Sequence, residues 1–355
     1  MSTTSSEREK IYWLRLEHEK EGITSWKAIY EKFPHLKKND IRRIYSREKK
    51  KREKARRLLE APSYITQGDT IGEDDFDEEE LWEQATAISR KIKERNGRKN
   101  EKEIIFSHAP VCIVFMADLH LGDKAVDYER LDRDIRTILS TPGMFVALVG
   151  DLLNNYIIGR LKAIRIVSEL SVPQEWVLAR RVLRLLAPKL LLSVAGNHDL
   201  WTNALTGVDF LKEIHAQLNP DIMYAKYEHK LGVRVGSSLY QMRVRHKWKG
   251  YSQYNPTHGI EWAAKFDKGR DFDIGVAAHT HVSGLYRQFN NGGKTGHAVV
   301  CGSYVFDDDY ANMIGFPEPN ESASVAIVID DKSVFGTNCL ESAADYMKAV
   351  YPMSS

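Results

Sequence analysis

Cysteine is scarce in this chain and long apolar runs are missing. Of 355 residues only three are cysteine, Cys112, Cys301 and Cys339, an odd number at wide spacing. That argues against a disulfide-stapled secreted scaffold, and with Cys112 inside an apolar run the thiols are expected to be reduced and structural. No stretch approaches the roughly 20 apolar residues of a membrane span. The first residues, Met-Ser-Thr-Thr-Ser-Ser-Glu-Arg, have no apolar core of a signal peptide, so the expected setting is cytoplasmic and away from membrane. Nor does one sign of charge dominate: 51 Lys and Arg against 49 Asp and Glu leave a formal +2. A hydrophobic fraction of 43% is that of an ordinary globular protein, long enough for about two domains.

The even balance conceals an uneven distribution. Residues 1–60 read as three helices, the first around Ile11 to Glu19. In the second, Trp26, Ile29, Tyr30 and Phe33 fall at i, i+3, i+4, i+7 after a Thr24 or Ser25 cap. The third starts at an Asn39 or Asp40 cap, buries Ile41, Ile44 and Tyr45, and carries a dense run of Lys and Arg. Three short helices with a basic last one resemble a helix-turn-helix module, whose last helix enters the major groove. Arg42, Arg43, Arg47 and Lys50 are then the candidate nucleic-acid contacts; the plainer alternative is a solvated basic helix. Residues 61–100 reverse the charge, with nine acidic residues and no Lys or Arg from Asp69 to Glu83. They read as an acidic linker and a helix from about Asp77 to Arg95. Residues 101–355 form the main domain.

Within that domain, short apolar runs end in polar tips. Val111 to Met116 leads to Asp118-Leu-His120, and Phe145 to Val149 leads to Gly150-Asp151. Leu190 to Val194 leads to Gly196-Asn197-His198-Asp199, and Ile274 to Ala277 leads to His279-Thr-His281. Runs of this kind read as strands buried on both faces. Helical patterns at Tyr128–Leu139, Ile157–Leu170, Pro173–Leu186 and Val208–Gln217 alternate with them. Strand-rich stretches follow: Val233–Val235, Leu239–Trp248, the chain from His279 onward, Ala298–Phe306 and Ala323–Ile329. Carboxylates, imidazoles and an amide gathered at strand ends are the oxygen and nitrogen donors of hard-to-borderline divalent metals.

The order D-x-H, G-D-x-x-N, G-N-H-D, a lone His and H-x-H resembles the calcineurin-like metallophosphoesterase superfamily, from about Ile104 onward. The resemblance implies an α/β fold: two facing mixed β-sheets flanked by helices (αββα), here with a small all-α N-terminal module. It implies hydrolysis of a phosphate ester by water activated between two divalent ions, with Mn²⁺ expected first and Fe, Zn or Mg as substitutes. Asp151 stands where the family has its bridging carboxylate. Asp118, His120 and His281 would complete one ion's shell, and Asn197, His279 and a further His the other. His198 would act on the substrate, with Asp199 bonding its second ring nitrogen. Asn154 would contact phosphate.

The lone His has two candidates. His246 ends an alternating strand and is preferred; His258 follows Asn255-Pro-Thr on a loop and otherwise serves as a substrate contact. At H-x-H, residues two apart on a strand face one side, which suits shared ligation. Lys247 and Lys249, among Trp248, Tyr251 and Tyr254, suit a phosphate backbone and a stacked base. His215, His229 and His297 receive no role. The expected substrate is a nucleic-acid phosphodiester. A phosphomonoesterase on phosphoprotein or nucleotide, and a non-catalytic DNA-binding protein with a vestigial metal site, are the rivals.

Overall fold

The computed structural model describes residues 4–59, 77–97, 102–157, 170–219, 221–250, 252, 254–267, 271–306 and 322–352. The strands are β1 (Glu103–Phe106), β2 (Val111–Met116), β3 (Met144–Leu148), β4 (Leu190–Val194), β5 (Met223–Ala225) and β6 (His229–Val235). They continue with β7 (Ser238–Val244), β8 (Ile274–Ala277), β9 (Leu285–Asn291), β10 (Lys294–Val300), β11 (Val325–Ile329) and β12 (Val334–Thr337). The helices are α1 (Ser5–Lys20), α2 (Lys27–Lys32), α3 (Lys38–Leu59), α4 (Glu78–Gly97) and α5 (Tyr128–Ser140), then α6 (Val172–Leu186), α7 (Asn197–Thr206), α8 (Phe210–Leu218), α9 (His258–Phe266) and α10 (Leu340–Val350).

All six residues of β2 are buried, and the pleat sends alternate ones to opposite sides. Cys112, Val114 and Met116 join a core shared with α5, α6, α8 and α10. Val111, Ile113 and Phe115 join a second core with Leu231, Val233, Met242 and Val276. That second core lies between two six-stranded sheets, ordered β12-β11-β2-β3-β4-β5 and β1-β6-β7-β8-β10-β9. In the first, β2 to β5 run parallel, and β11 and β12 are antiparallel additions. In the second, β7, β8 and β10 run parallel, with antiparallel β6 and β9 beside them. α9 covers the outer face of this sheet through Ile260, Ala263 and Ala264. Each fully buried Ile, Leu or Phe contributes about 1.5–3 kcal/mol by leaving water. The result is the αββα sandwich that the resemblance implied.

The chain divides into two compact units, Met1–Lys91 and Ile92–Ser355. In the first, α1, α2 and α3 enclose Ile11, Tyr12, Ile29, Phe33, Ile41 and Tyr45. Thr4 and Glu7 form a capping box that starts α1. Tyr45 donates to Glu19 at 2.7 Å, and Arg15 donates to the Ile23 carbonyl at 3.0 Å, tying the helices together. α3 begins at Lys38, so Asn39 and Asp40 sit in its first turn rather than at the expected cap. Arg42, Arg43, Arg47 and Lys50 are all exposed.

Several boundaries differ from the sequence reading. α8 falls on the helix expected at Val208–Gln217, but α7 before it was not anticipated; Gly207 ends α7 in the left-handed conformation (φ 74°). β10 stops at Val300 rather than continuing to Phe306. β1, β5, β12 and α10 were not anticipated; the strands have three or four residues each, too few for a periodic signal. The helical pattern at Ile157–Leu170 falls almost wholly outside the described residues.

Candidate metal centre

Five strands end at one place. Asp118 and His120 follow β2, Asp151 follows β3, and Asn197 opens α7 after β4. His246 follows β7, and His279 and His281 follow β8. The loops hold one another through backbone bonds: Asp118 N–H to the Gly150 carbonyl (3.0 Å), His120 N–H to Asp151 (3.1 Å) and Ala278 N–H to His246 (2.9 Å). Two glycines allow this approach. A Cβ on Gly196 would lie 2.0 Å from Asp151 Oδ1, and one on Gly150 (φ 93°) would lie 2.6 Å from His246 Nδ1.

The backbone itself marks the site. Among described non-glycine residues, positive φ occurs at Asp118 (48°), His120 (44°), Asp151 (50°), Asn155 (50°), His279 (79°) and His281 (48°). Five of these six are candidate ligands. Such conformations cost about 1–3 kcal/mol each and persist where the surroundings enforce them. The positive φ at His279 and His281 also corrects the reading of H-x-H as alternation along a strand. The chain has already left β8, and the two rings go to different groups.

Each carboxylate is anchored by one oxygen and presents the other. Asp118 Oδ2 accepts from His279 N–H (2.9 Å), and Asp151 Oδ1 accepts from His198 N–H (2.8 Å). Asp118 Oδ1, Asp151 Oδ2 and Asn197 Oδ1 are buried without a hydrogen-bond donor. Around them stand imidazole nitrogens. His246 Nε2 lies 3.1 Å from Asp151 Oδ2 and 4.0 Å from Asp118 Oδ1, and His281 Nε2 lies 3.4 Å from Asp118 Oδ1. Ring nitrogens also meet each other: His120 Nε2 and His281 Nε2 at 3.0 Å, His246 Nε2 and His279 Nδ1 at 3.2 Å. Buried acceptors without donors are costly unless a cation receives them. Their donor set of carboxylate, amide and imidazole is one that divalent metals accept. Asp118, His120 and His281 form one group able to hold an ion; Asp151, His246 and His279 form another. A third overlapping group joins His120, Asp151 and His198.

Charge in the cluster follows the same logic. Burial opposes a charged His246, but the Asp151 and Asp118 carboxylates outweigh it and push the ring up to about 10. Burial, with the His246 charge, lowers His279 to about 4. For Asp118, the neighbouring His281, His120 and His246 overcome burial and hold the carboxyl well below the usual carboxylate range. The acidic pair thus draws positive charge to itself. His246 Nδ1 is tied to the Val149 carbonyl at 2.7 Å, which leaves Nε2 facing the cluster.

One expected role needs correction. Asp199 does not bond His198. Its oxygens accept from the backbone N–H groups of Gly196 (2.9 Å), Leu152 (3.0 Å) and Leu153 (3.3 Å). It sits in the first turn of α7, where a carboxylate reaches back to the free amides of the helix start. Burial and the Asp151 charge push it up to about 6. His198 Nδ1 instead meets the Asn154 carbonyl at 2.5 Å, and burial lowers the ring to about 4. Asn154 is 3% exposed; its amide donates to Asp123 at 3.0 Å, and its Oδ1 is buried without a hydrogen bond.

His258 lies apart from the cluster, exposed at the start of α9 with Nδ1 2.7 Å from the Gly250 carbonyl. Lys247 and Lys249 are exposed, Lys249 over the Trp262 ring at 5.8 Å. Trp248 is buried, with its indole N–H donated to Val276, so it does not offer a face for stacking. Sequence reading passed over Tyr156 and Trp201, whose rings lie 5.1 and 4.0 Å from His198. The signal for Trp201 was its spacing of three and four from His198 and Asn197, visible only once α7 is recognised as a helix.

No protein-family model matches the chain, and no curated protein does. Solved structures are similar at low identity. The calcineurin-like phosphoesterase YfkN from Bacillus subtilis is 12% identical with a TM-score of 0.35, covering 68% of this chain and 95% of its own. The nuclease MPE from Pseudomonas putida is 15% identical with a TM-score of 0.29, covering 63% and 87%. Vps29 from Chaetomium thermophilum is 14% identical with a TM-score of 0.31, covering 64% and 95%. At that level of similarity the chemistry rests on the residues of this chain themselves.

Proposed function

We propose that this protein hydrolyses a nucleic-acid phosphodiester with two divalent cations, Mn²⁺ foremost. Asp118, His120, Asp151 and His281 would hold one, and Asp151, Asn197, His246 and His279 the other. The observation that carries this reading is the meeting of three buried oxygens left without a hydrogen bond with five imidazoles from four strand ends. Bound there, two cations would neutralise the phosphate, orient it and bring the pKa of water toward neutrality.

The chain's own groups supply the rest. With Nδ1 tied to the Asn154 carbonyl, His198 turns Nε2 toward Asp151, 4.0 Å from its free oxygen. That nitrogen would hold or deliver the proton of the leaving oxygen. Asp199 fixes the loops after β3 and β4 against each other, and so sets Asp151 beside Asn197. Lys247, exposed next to His246, would attract the substrate's anionic backbone, with Lys249 and His258 at the margin. The exposed Arg42, Arg43, Arg47 and Lys50 of α3 would grip nucleic-acid phosphates in the manner of a helix-turn-helix module.

The test is turnover of bis-p-nitrophenyl phosphate against p-nitrophenyl phosphate with Mn²⁺, followed by single-stranded DNA, duplex DNA and RNA, for wild type and Asp151→Ala. The expected result is diester and nucleic-acid cleavage that Asp151→Ala abolishes. Monoester turnover alone turns the reading to a phosphomonoesterase on phosphoprotein or nucleotide. DNA binding without any hydrolysis leaves a non-catalytic binding protein.

A further inference from the structure

Beside the cluster stand two aromatic rings that neither ligate nor fill a core. Trp201 lies one turn along α7 from Asn197 and His198, so the three share a helix face. Its ring is 4.0 Å from that of His198, inclined at 31°. Tyr156 arrives from the loop after β3, two residues past Asn154. Its ring lies 5.1 Å from His198 and 5.9 Å from Trp201, 34° from the latter's plane. Both rings are partly exposed, whereas His198 is 8% exposed and already fixed through Asn154. The rings come from the loop after β3 and from α7, the segments that also carry Asp151 and Asn197, and so stand beside His198 at the cluster.

We infer that Tyr156 and Trp201 form an aromatic wall that takes the nucleobase next to the scissile phosphate, which makes them specificity-determining residues. This inference rests on the phosphodiesterase reading and narrows it to substrates bearing a planar base. Stacking of a base on an aromatic side chain is sequence-tolerant, because each base offers a π face. The wall therefore selects a nucleotide linkage over an alkyl one without choosing among bases.

The experiment compares kcat/KM for a dinucleotide phosphodiester and for the same linkage between abasic deoxyriboses. It uses the Mn²⁺-loaded full chain and the variants Trp201→Leu, Trp201→Phe and Tyr156→Leu. Wild type is expected to prefer the base-bearing substrate by about 5- to 150-fold, the range that one stacked base supplies. Trp201→Leu and Tyr156→Leu are expected to shrink that preference, chiefly by raising KM, while Trp201→Phe keeps most of it. Equal cleavage of both substrates by wild type overturns the inference and leaves the phosphodiesterase reading standing. A leucine variant that loses the same factor on both substrates also overturns it, since the ring then serves only to position His198. Should neither substrate be cleaved, the phosphodiesterase reading and this inference fall together.

Discussion

Replacing Asp199 separates a fastening role from a catalytic one. Its carboxylate is buried and accepts three backbone N–H groups, from Gly196 at 2.9 Å, Leu152 at 3.0 Å and Leu153 at 3.3 Å. Asp199→Ala leaves all three donors facing protein. An unsatisfied buried donor costs about 1–3 kcal/mol, and partial relaxation keeps the sum near 3–5 kcal/mol. Asp199→Asn keeps an oxygen for two of the donors but turns an amide N–H₂ toward the third, for a loss of about 1–3 kcal/mol. For a unit this large, each kcal/mol moves Tm by about 2–4 °C. Asp199→Ala is therefore expected to unfold at least about 6 °C early, with Asp199→Asn between it and wild type. Thermal and urea unfolding of the metal-free proteins measure this without reference to activity. An Asp199→Ala protein as stable as wild type, with only its pH–rate profile altered, would refute the reasoning and return Asp199 to the role of orienting His198.

Three further outcomes follow from the same geometry. Gly196→Ala puts a methyl 2.0 Å from Asp151 Oδ1, so diester turnover should fall by about 100-fold or more, measured as kcat with Mn²⁺. His215 and His229 are buried and lowered to about 4, against about 6.5 in the unfolded chain. The unfolded state thus binds more protons between those values, and stability falls as pH drops from about 6.5 to about 4, by up to about 3 kcal/mol per ring. His215→Phe should flatten that slope in urea titrations across pH; an unchanged slope counts against it. Substituting Ala for Arg42, Arg43 and Arg47 should weaken DNA binding at all sequences alike and reduce the slope of log affinity against log salt by about 0.9 per lost contact. Small-diester turnover should be unaltered, and DNA affinity indifferent to all three changes would remove the basic helix from the account.

The strands and their polar tips were legible because burial on both faces leaves an uninterrupted apolar run, and the polar residues that end it have no packing reason to be there. Val111 to Met116 before Asp118 is such a case. Hydrogen-bond partners were not legible, since Asp199 and His198 are neighbours in sequence yet bond to different residues of the loop after β3, Leu152 and Leu153 for one and Asn154 for the other. The choice of His246 over His258 rested on a strand pattern in the sequence. The structure adds the 2.7 Å bond from its Nδ1 to Val149. Trp248 misled because an indole among lysines reads as an exposed platform until its N–H is seen satisfied inside the core. Tyr156 and Trp201 carried no signal of their own, as their meaning depends on a helix that begins at Asn197.

Equilibrium dialysis against Mn²⁺, with metal counted per chain, bears most directly on the proposal of two cations. The wild-type chain and His258→Ala should each bind two ions, His246→Ala about one, and Asp151→Ala should bind neither tightly. A wild-type chain that retains no metal, or a His258→Ala chain that loses an ion while His246→Ala keeps both, would contradict the account.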